Sequence, residues 1–176
     1  AELLNKRVSI TVPHAAFLDL EHILPLVGGL EEVVACVNLS FDGDIAGTVM
    51  FIFQENDTYK LVDVLLAQKV GTTRELDTMG QSAIMEIGNV LTGSFMNAIS
   101  SMTGLTMHSS VPLFAFDMVG AILSTALVAG GHYDDQVLLI ETMFLQDNDR
   151  IKGHFFLMPE NSAQKKLIEA LSMAAE

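Results

Sequence analysis

IAGTVMFIFQENDTYKLVDVLLAQ, residues 45–68, and IKGHFFLMPENSAQKKLIEALSMA, residues 151–174, read as one pattern written twice. At a shift of 106 positions Ile45 answers Ile151, Gly47 answers Gly153, Lys60 answers Lys166, Leu61 answers Leu167, Asp63 answers Glu169 and Leu65 answers Leu171. Each copy passes from a strand-like run to apolar residues at helical spacing. Working outward, residues 33–41 and 45–53 form a hairpin pattern around Asp42-Gly43-Asp44, where glycine tolerates the positive φ of a tight turn. Residues 137–145 and 151–158 repeat it around Gln146-Asp147-Asn148-Asp149. Each hairpin is preceded by a short helix stopped by paired glycines: 20–27 with Gly28-Gly29, and 118–129 with Gly130-Gly131. Before those helices come strands ending in proline, 8–12 with Pro13 and 106–111 with Pro112, at a shift of 99. Helices over 58–67 and 162–174 close the two copies.

Two such units cannot each bury a sheet face alone, so they are expected to pack about a pseudo-two-fold axis. The expected fold is therefore α+β, one domain over 1–176 built from a first unit, 1–68, and a second, 74–176. The second unit opens with a long helix predicted from Arg74 to about Met102 and closed by Gly104. Ala1 to Asn5 can supply only the last turn of a matching helix, so most of the first unit's leading helix is expected upstream of residue 1.

Half of the chain is hydrophobic, enough for a sizeable core in one compact unit. The net charge of −13 is spread along the length, which removes the basic groove that nucleic acid requires. Mean hydropathy is +0.41, yet the longest apolar stretch, 118–129, is interrupted by Gly120, Ser124 and Thr125. A span needs about 20 apolar residues, so no membrane insertion is expected. The chain opens without a basic, then apolar, leader, so no secretory signal is expected either. Cys36 is the single cysteine, sits in an apolar run and reads as core, which fits a reducing cytoplasm. The histidines at 14, 22, 108, 132 and 154 show no metal-ligand spacing, and no glycine-rich phosphate loop follows a strand; no metal site or cofactor of its own is expected.

The long helix carries the chemistry. At about 100° per residue, Ile84, Ile87, Leu91, Phe95, Ala98 and Met102 share an inward face. The opposite stripe carries Glu75, Thr78, Ser82, Glu86, Asn89 and Gly93, with no basic residue after Arg74. Glu86 and Asn89, three apart, present a carboxylate and a carboxamide side by side. An amide both donates and accepts hydrogen bonds, and Gly93 one turn on leaves room for an approaching partner. Glu-x-x-Asn on a helix is common and alone says little.

Ser82-x3-Glu86-x2-Asn89, followed after 22 further residues by Pro112, resembles the signature of the CheC, CheX and FliY phosphatases. Glu86-Ile87-Gly88-Asn89, Leu91-Thr92-Gly93, Asn97-Ala98-Ile99-Ser100, the strand ending at Pro13, the Asp42-Gly43-Asp44 hairpin and Met118-Val119-Gly120-Ala121-Ile122 resemble CheC in particular. The resemblance implies two α/β units about a pseudo-dyad, each led by a signature helix. CheC proteins usually carry two signatures and CheX proteins one; here only Pro13 remains of a first.

That resemblance implies a function: hydrolysis of the aspartyl phosphate on a CheY-like response regulator in chemotaxis. An acyl phosphate is labile enough that the catalyst has only to hold a water in line with phosphorus. The family assigns that task to Asn89 and gives Glu86 the receiver's lysine as partner. Ser82 and Gly93 line the contact, and Pro112 fixes the backbone beneath the helix. Mg²⁺ comes with the receiver. The alternative implied by the same resemblance is a non-catalytic protein that binds CheD, a receptor deamidase, or serves in the flagellar motor.

Overall fold

The computed structural model describes residues 9–129, 136–146, 149–160 and 163–174. In chain order the elements are β1 (Ser9–Asp19), a 3₁₀ turn (Leu20–His22), α1 (Ile23–Val27), β2 (Val33–Gly43), β3 (Gly47–Gln54), α2 (Glu55–Leu65), α3 (Thr78–Thr103), β4 (Met107–Ser109), β5 (Leu113–Met118), α4 (Val119–Ala129), β6 (Gln136–Gln146), β7 (Asp149–Pro159) and α5 (Ala163–Ala174). The α+β class read from the pattern is the class observed. The tip of the second expected hairpin and the residues before Ser9 lie outside the described residues.

All strands join one antiparallel sheet in the order β1-β6-β7-β3-β2-β4, with β5 also paired to β2. The path reads alike from both edges: a lead strand, a hairpin, a hairpin, a lead strand. Each lead strand pairs with the hairpin of the other half, β1 with β6 and β4–β5 with β2. The hairpins meet at β3 and β7, where Met50 lies opposite Phe156, two residues that are themselves 106 apart.

The sheet is buried on both faces, which is why its central strands are apolar without alternation. Ala35, Val37, Leu39, Val49, Phe51, Phe53, Phe155 and Leu157 pack beneath α2, α3 and α5. The intervening residues Val34, Cys36, Met50, Ile52, Phe156 and Met158 pack beneath α1 and α4. Cys36 is 1% exposed and burial pushes its thiol pKa up to about 12, as its core reading requires.

Three expectations are corrected. The prolines do not end the lead strands. β1 runs through Pro13 to Asp19 with a register shift between Thr11 and His14, and β5 resumes after Pro112. Pro13 stands within the edge strand β1 at its register shift, and Pro112 in the break between β4 and β5, places where a missing N–H is tolerated. The long helix starts at Thr78 instead of Arg74, because Asp77 caps it by accepting from the Gly80 N–H at 2.7 Å. Finally, Ala98 and Met102 are exposed. In its second half the buried stripe of α3 turns toward Met96 and Ile99, where Phe95 meets Phe155 edge-on at 4.9 Å.

Candidate functional site

α3 is aimed by what precedes it. Asp63, fully buried in α2, accepts from the Gly71 N–H (2.7 Å), the Thr72 N–H (3.0 Å), and the Thr73 N–H (2.9 Å) and hydroxyl (2.6 Å). One carboxylate thus orders the loop that delivers the chain to the Asp77 cap. At the far end Gly104, with φ of 72°, takes the left-handed conformation that closes the helix.

Along the buried face, Gly88 lets α3 approach the sheet. A Cβ there would stand 2.6 Å from Val37 Cγ2, so the helix axis is set close over β2. Val37 is the strand partner of Phe114. Gly88, Val37 and Phe114 therefore lie in one row, with Pro112 two residues from its end.

The outward face carries the predicted pair. Glu86 and Asn89 are both exposed, and neither side chain has a hydrogen bond or ion pair among the described residues. Ser82 is also exposed, but its hydroxyl donates to the Thr78 carbonyl at 2.9 Å. Nothing lies within 4 Å of where a Gly93 Cβ would be. Thr78, predicted on this stripe, is on it and exposed; Glu75 lies before the helix. Met79 and Val90 are apolar side chains on the exposed side of α3, 64% and 38% exposed, which the polar reading of the stripe missed. Pro13 is remote from this surface, in the strand at the opposite edge of the sheet.

The ridge is thus a carboxylate and a carboxamide that their own fold does not use, bounded by a bare glycine and two exposed apolar side chains. It can offer an anionic anchor and a two-way hydrogen bonder to a partner. It offers no nucleophile positioned by a base.

A CheC-like family model matches residues 79–114, from the start of α3 through Pro112 into β5. The CheY-P phosphatase CheC of Bacillus subtilis (strain 168) is 29% identical over 175 residues, 97% of this chain and 84% of the relative. The chain is thus similar to CheC-like proteins, over 79–114 by the family model and over most of its length by the relative. The fold is also that of FliY from Thermotoga maritima, with a TM-score of 0.69 at 18% identity, covering 95% of this chain and 83% of that one. CheX in the CheX–CheY–BeF3–Mg²⁺ complex from Borrelia burgdorferi shares the fold at a TM-score of 0.51 and 13% identity, covering 90% of this chain and 88% of that one. No helix among the described residues is long and apolar enough to cross a membrane.

Proposed function

We propose that this CheC-like protein removes the phosphoryl group from the aspartyl phosphate of a CheY-like receiver, with α3 as the working surface. The observation that carries the reading is the exposed, unpartnered Glu86–Asn89 pair inside the segment that matches the family. The similar CheC is named a CheY-P phosphatase, and the CheX complex holds CheY and Mg²⁺, which supports a receiver as the partner.

In this mechanism Glu86 pairs with a cation of the receiver beside its phosphate and fixes the register of docking. A charge pair desolvated in this way couples more strongly than one at an interface rim. Asn89 then reaches the phosphoryl group. Its carbonyl oxygen accepts from a water and its amino group donates to a neighbouring oxygen, so the water is held in line with phosphorus. A carboxamide is a weak base, so its contribution is position and lost freedom of motion, not proton removal. Gly93 leaves the receiver's backbone room to approach. Mg²⁺ is held by the receiver's own acidic residues, and this chain supplies no ligand to it.

The test is phosphate release from a phosphorylated CheY-type receiver with and without the chain. Acceleration is expected. Asn89→Ala is expected to abolish it while binding persists, and Glu86→Ala to weaken binding itself. Unchanged decay in the presence of bound wild-type chain would overturn the catalytic reading. That result would favour the second one, a non-catalytic protein of the flagellar motor or a binder of CheD, as the sequence resemblance implies.

A further inference from the structure

Beneath α4, on the sheet face away from α3, the strands carry small side chains. Cys36 on β2 is the strand partner of Ala115 on β5, and Ala121 of α4 lines the space above them. On the same face at the sheet's other edge, Leu18 stands opposite Val137. Small residues on two strands and a helix leave room that larger ones would fill. The result is a cavity of about 320 Å³, within the range of small-ligand sites, roughly 300–1,000 Å³.

Its walls are chemically uneven. The middle is apolar, with Cys36 and Ala115 as floor and Ile122 of α4 beside them. The polar residues stand toward the two ends. Asp117 is the strand partner of Val34, and Asn38 that of Leu113. Four residues of β2 separate those levels, about 13 Å at about 3.3 Å per residue.

The polar groups at these ends are acceptors that the fold leaves available. Asp117 is exposed, and one of its oxygens accepts from the Met118 N–H at 2.7 Å. It has no cationic partner among the described residues. Asn38 Oδ1 is buried without a hydrogen-bond partner among the described residues. The last bond of a carboxamide side chain turns over a broad range, so this oxygen can swing to meet a donor in the cavity. Thr125 uses its hydroxyl hydrogen on the Ala121 carbonyl at 2.9 Å, which leaves the hydroxyl an acceptor too. The lining residues include no basic side chain. The net charge of −13 attracts cations to the surface as a whole.

We propose that this cavity binds a small amine with an elongated apolar body. Its ammonium group lies against Asp117, its body over Cys36 and Ala115, and a hydroxyl or N–H donor at its far end meets Asn38. The site lies on the face away from α3, so its test is independent of the receiver reading.

The experiment is titration of the full chain with tyramine, followed by nuclear magnetic resonance of the backbone amides. Saturable one-to-one binding is expected, with shifts centred on residues 36–38, 113–117 and 121–125. A dissociation constant below about 1 mM is a modest efficiency for about ten heavy atoms. Phenethylamine, which lacks the hydroxyl, should bind more weakly, and para-hydroxyphenylacetate, with a carboxylate in place of the amine, should not bind. Ala115→Leu fills the cavity and should remove binding while the melting temperature stays equal or rises. Ala121→Leu fills it from α4 and repeats the test should Ala115→Leu not fold. Asp117→Asn should weaken tyramine by about fivefold, the upper range for an exposed ion pair. Asn38→Ala should erase the preference for tyramine over phenethylamine, a ratio that a general disturbance of the fold leaves alone. No saturable shifts at these residues, equal binding of para-hydroxyphenylacetate, or undiminished binding by a folded cavity-filling variant would overturn the proposal.

Discussion

Two glycines on α3 separate what the fold needs from what a partner needs. Gly88 and Gly93 are both mid-helix, where glycine costs about 1 kcal/mol relative to alanine. At Gly88 that cost is explained from inside, because a Cβ would overlap Val37. Gly88→Ala is therefore expected to destabilise the protein by about 1–3 kcal/mol, read as a lower denaturation midpoint. At Gly93 nothing inside explains it. Gly93→Ala should raise stability by up to about 1 kcal/mol, while Gly93→Leu should fold normally yet lose affinity for the phosphorylated receiver. Equal receiver binding by wild type and Gly93→Leu would remove Gly93 from the interface. The Glu86–Asn89 pair follows the same logic. Neither side chain has a partner among the described residues, so Glu86→Ala and Asn89→Ala should stay within about 0.5 kcal/mol of wild-type stability, as surface changes do. Their loss of activity could then be assigned to the partner.

At the scale of elements, the direction of α3 depends on a residue outside it. The buried Asp63 carboxylate takes four donors from residues 71–73, and its removal leaves all four without that acceptor. Asp63→Ala is expected to cost more than about 2 kcal/mol. Hydrogen exchange should show the loss first at residues 71–80, and protection there equal to wild type would refute the role. The sequence pattern carried the order of elements because strands and helices here obey clean periods, and the helical period placed Glu86 and Asn89 on an exposed face of α3. What it missed has identifiable causes. His14–Asp19 and Leu113–Met118 are strand because proline here marks a break that the sheet resumes beyond, where a sequence pattern reads it as a terminator. Ala98 and Met102 were placed inside because a helical wheel assumes one straight contact line, and α3 turns its buried stripe toward α5. Glu75 fell off the stripe because Asp77 captures the Gly80 N–H and starts the helix three residues later.

For the whole molecule, the sheet is the shared wall of two cores, and β3 and β7 carry both. The sheet reads alike from either edge, and Met50 faces Phe156, 106 residues on, at its centre. Such a wall predicts that the halves do not come apart separately, since each lead strand is paired to the other half's hairpin. Cys36 tests this. It is buried on β2 at the α4 side, and its thiol, pushed up to about 12, is almost wholly protonated and unreactive at neutral pH. An alkylating reagent should therefore label it only through opening, where the pKa returns to about 8.5. If the sheet opens as one unit, labelling across a denaturant series should follow the same midpoint as far-ultraviolet circular dichroism. Its rate should rise with pH up to the range of an ordinary thiol. Labelling well below that midpoint would show that α4 lifts from β2 and β5 while the sheet stays whole, making the α1–α4 layer a separate and weaker unit than the core beneath α3.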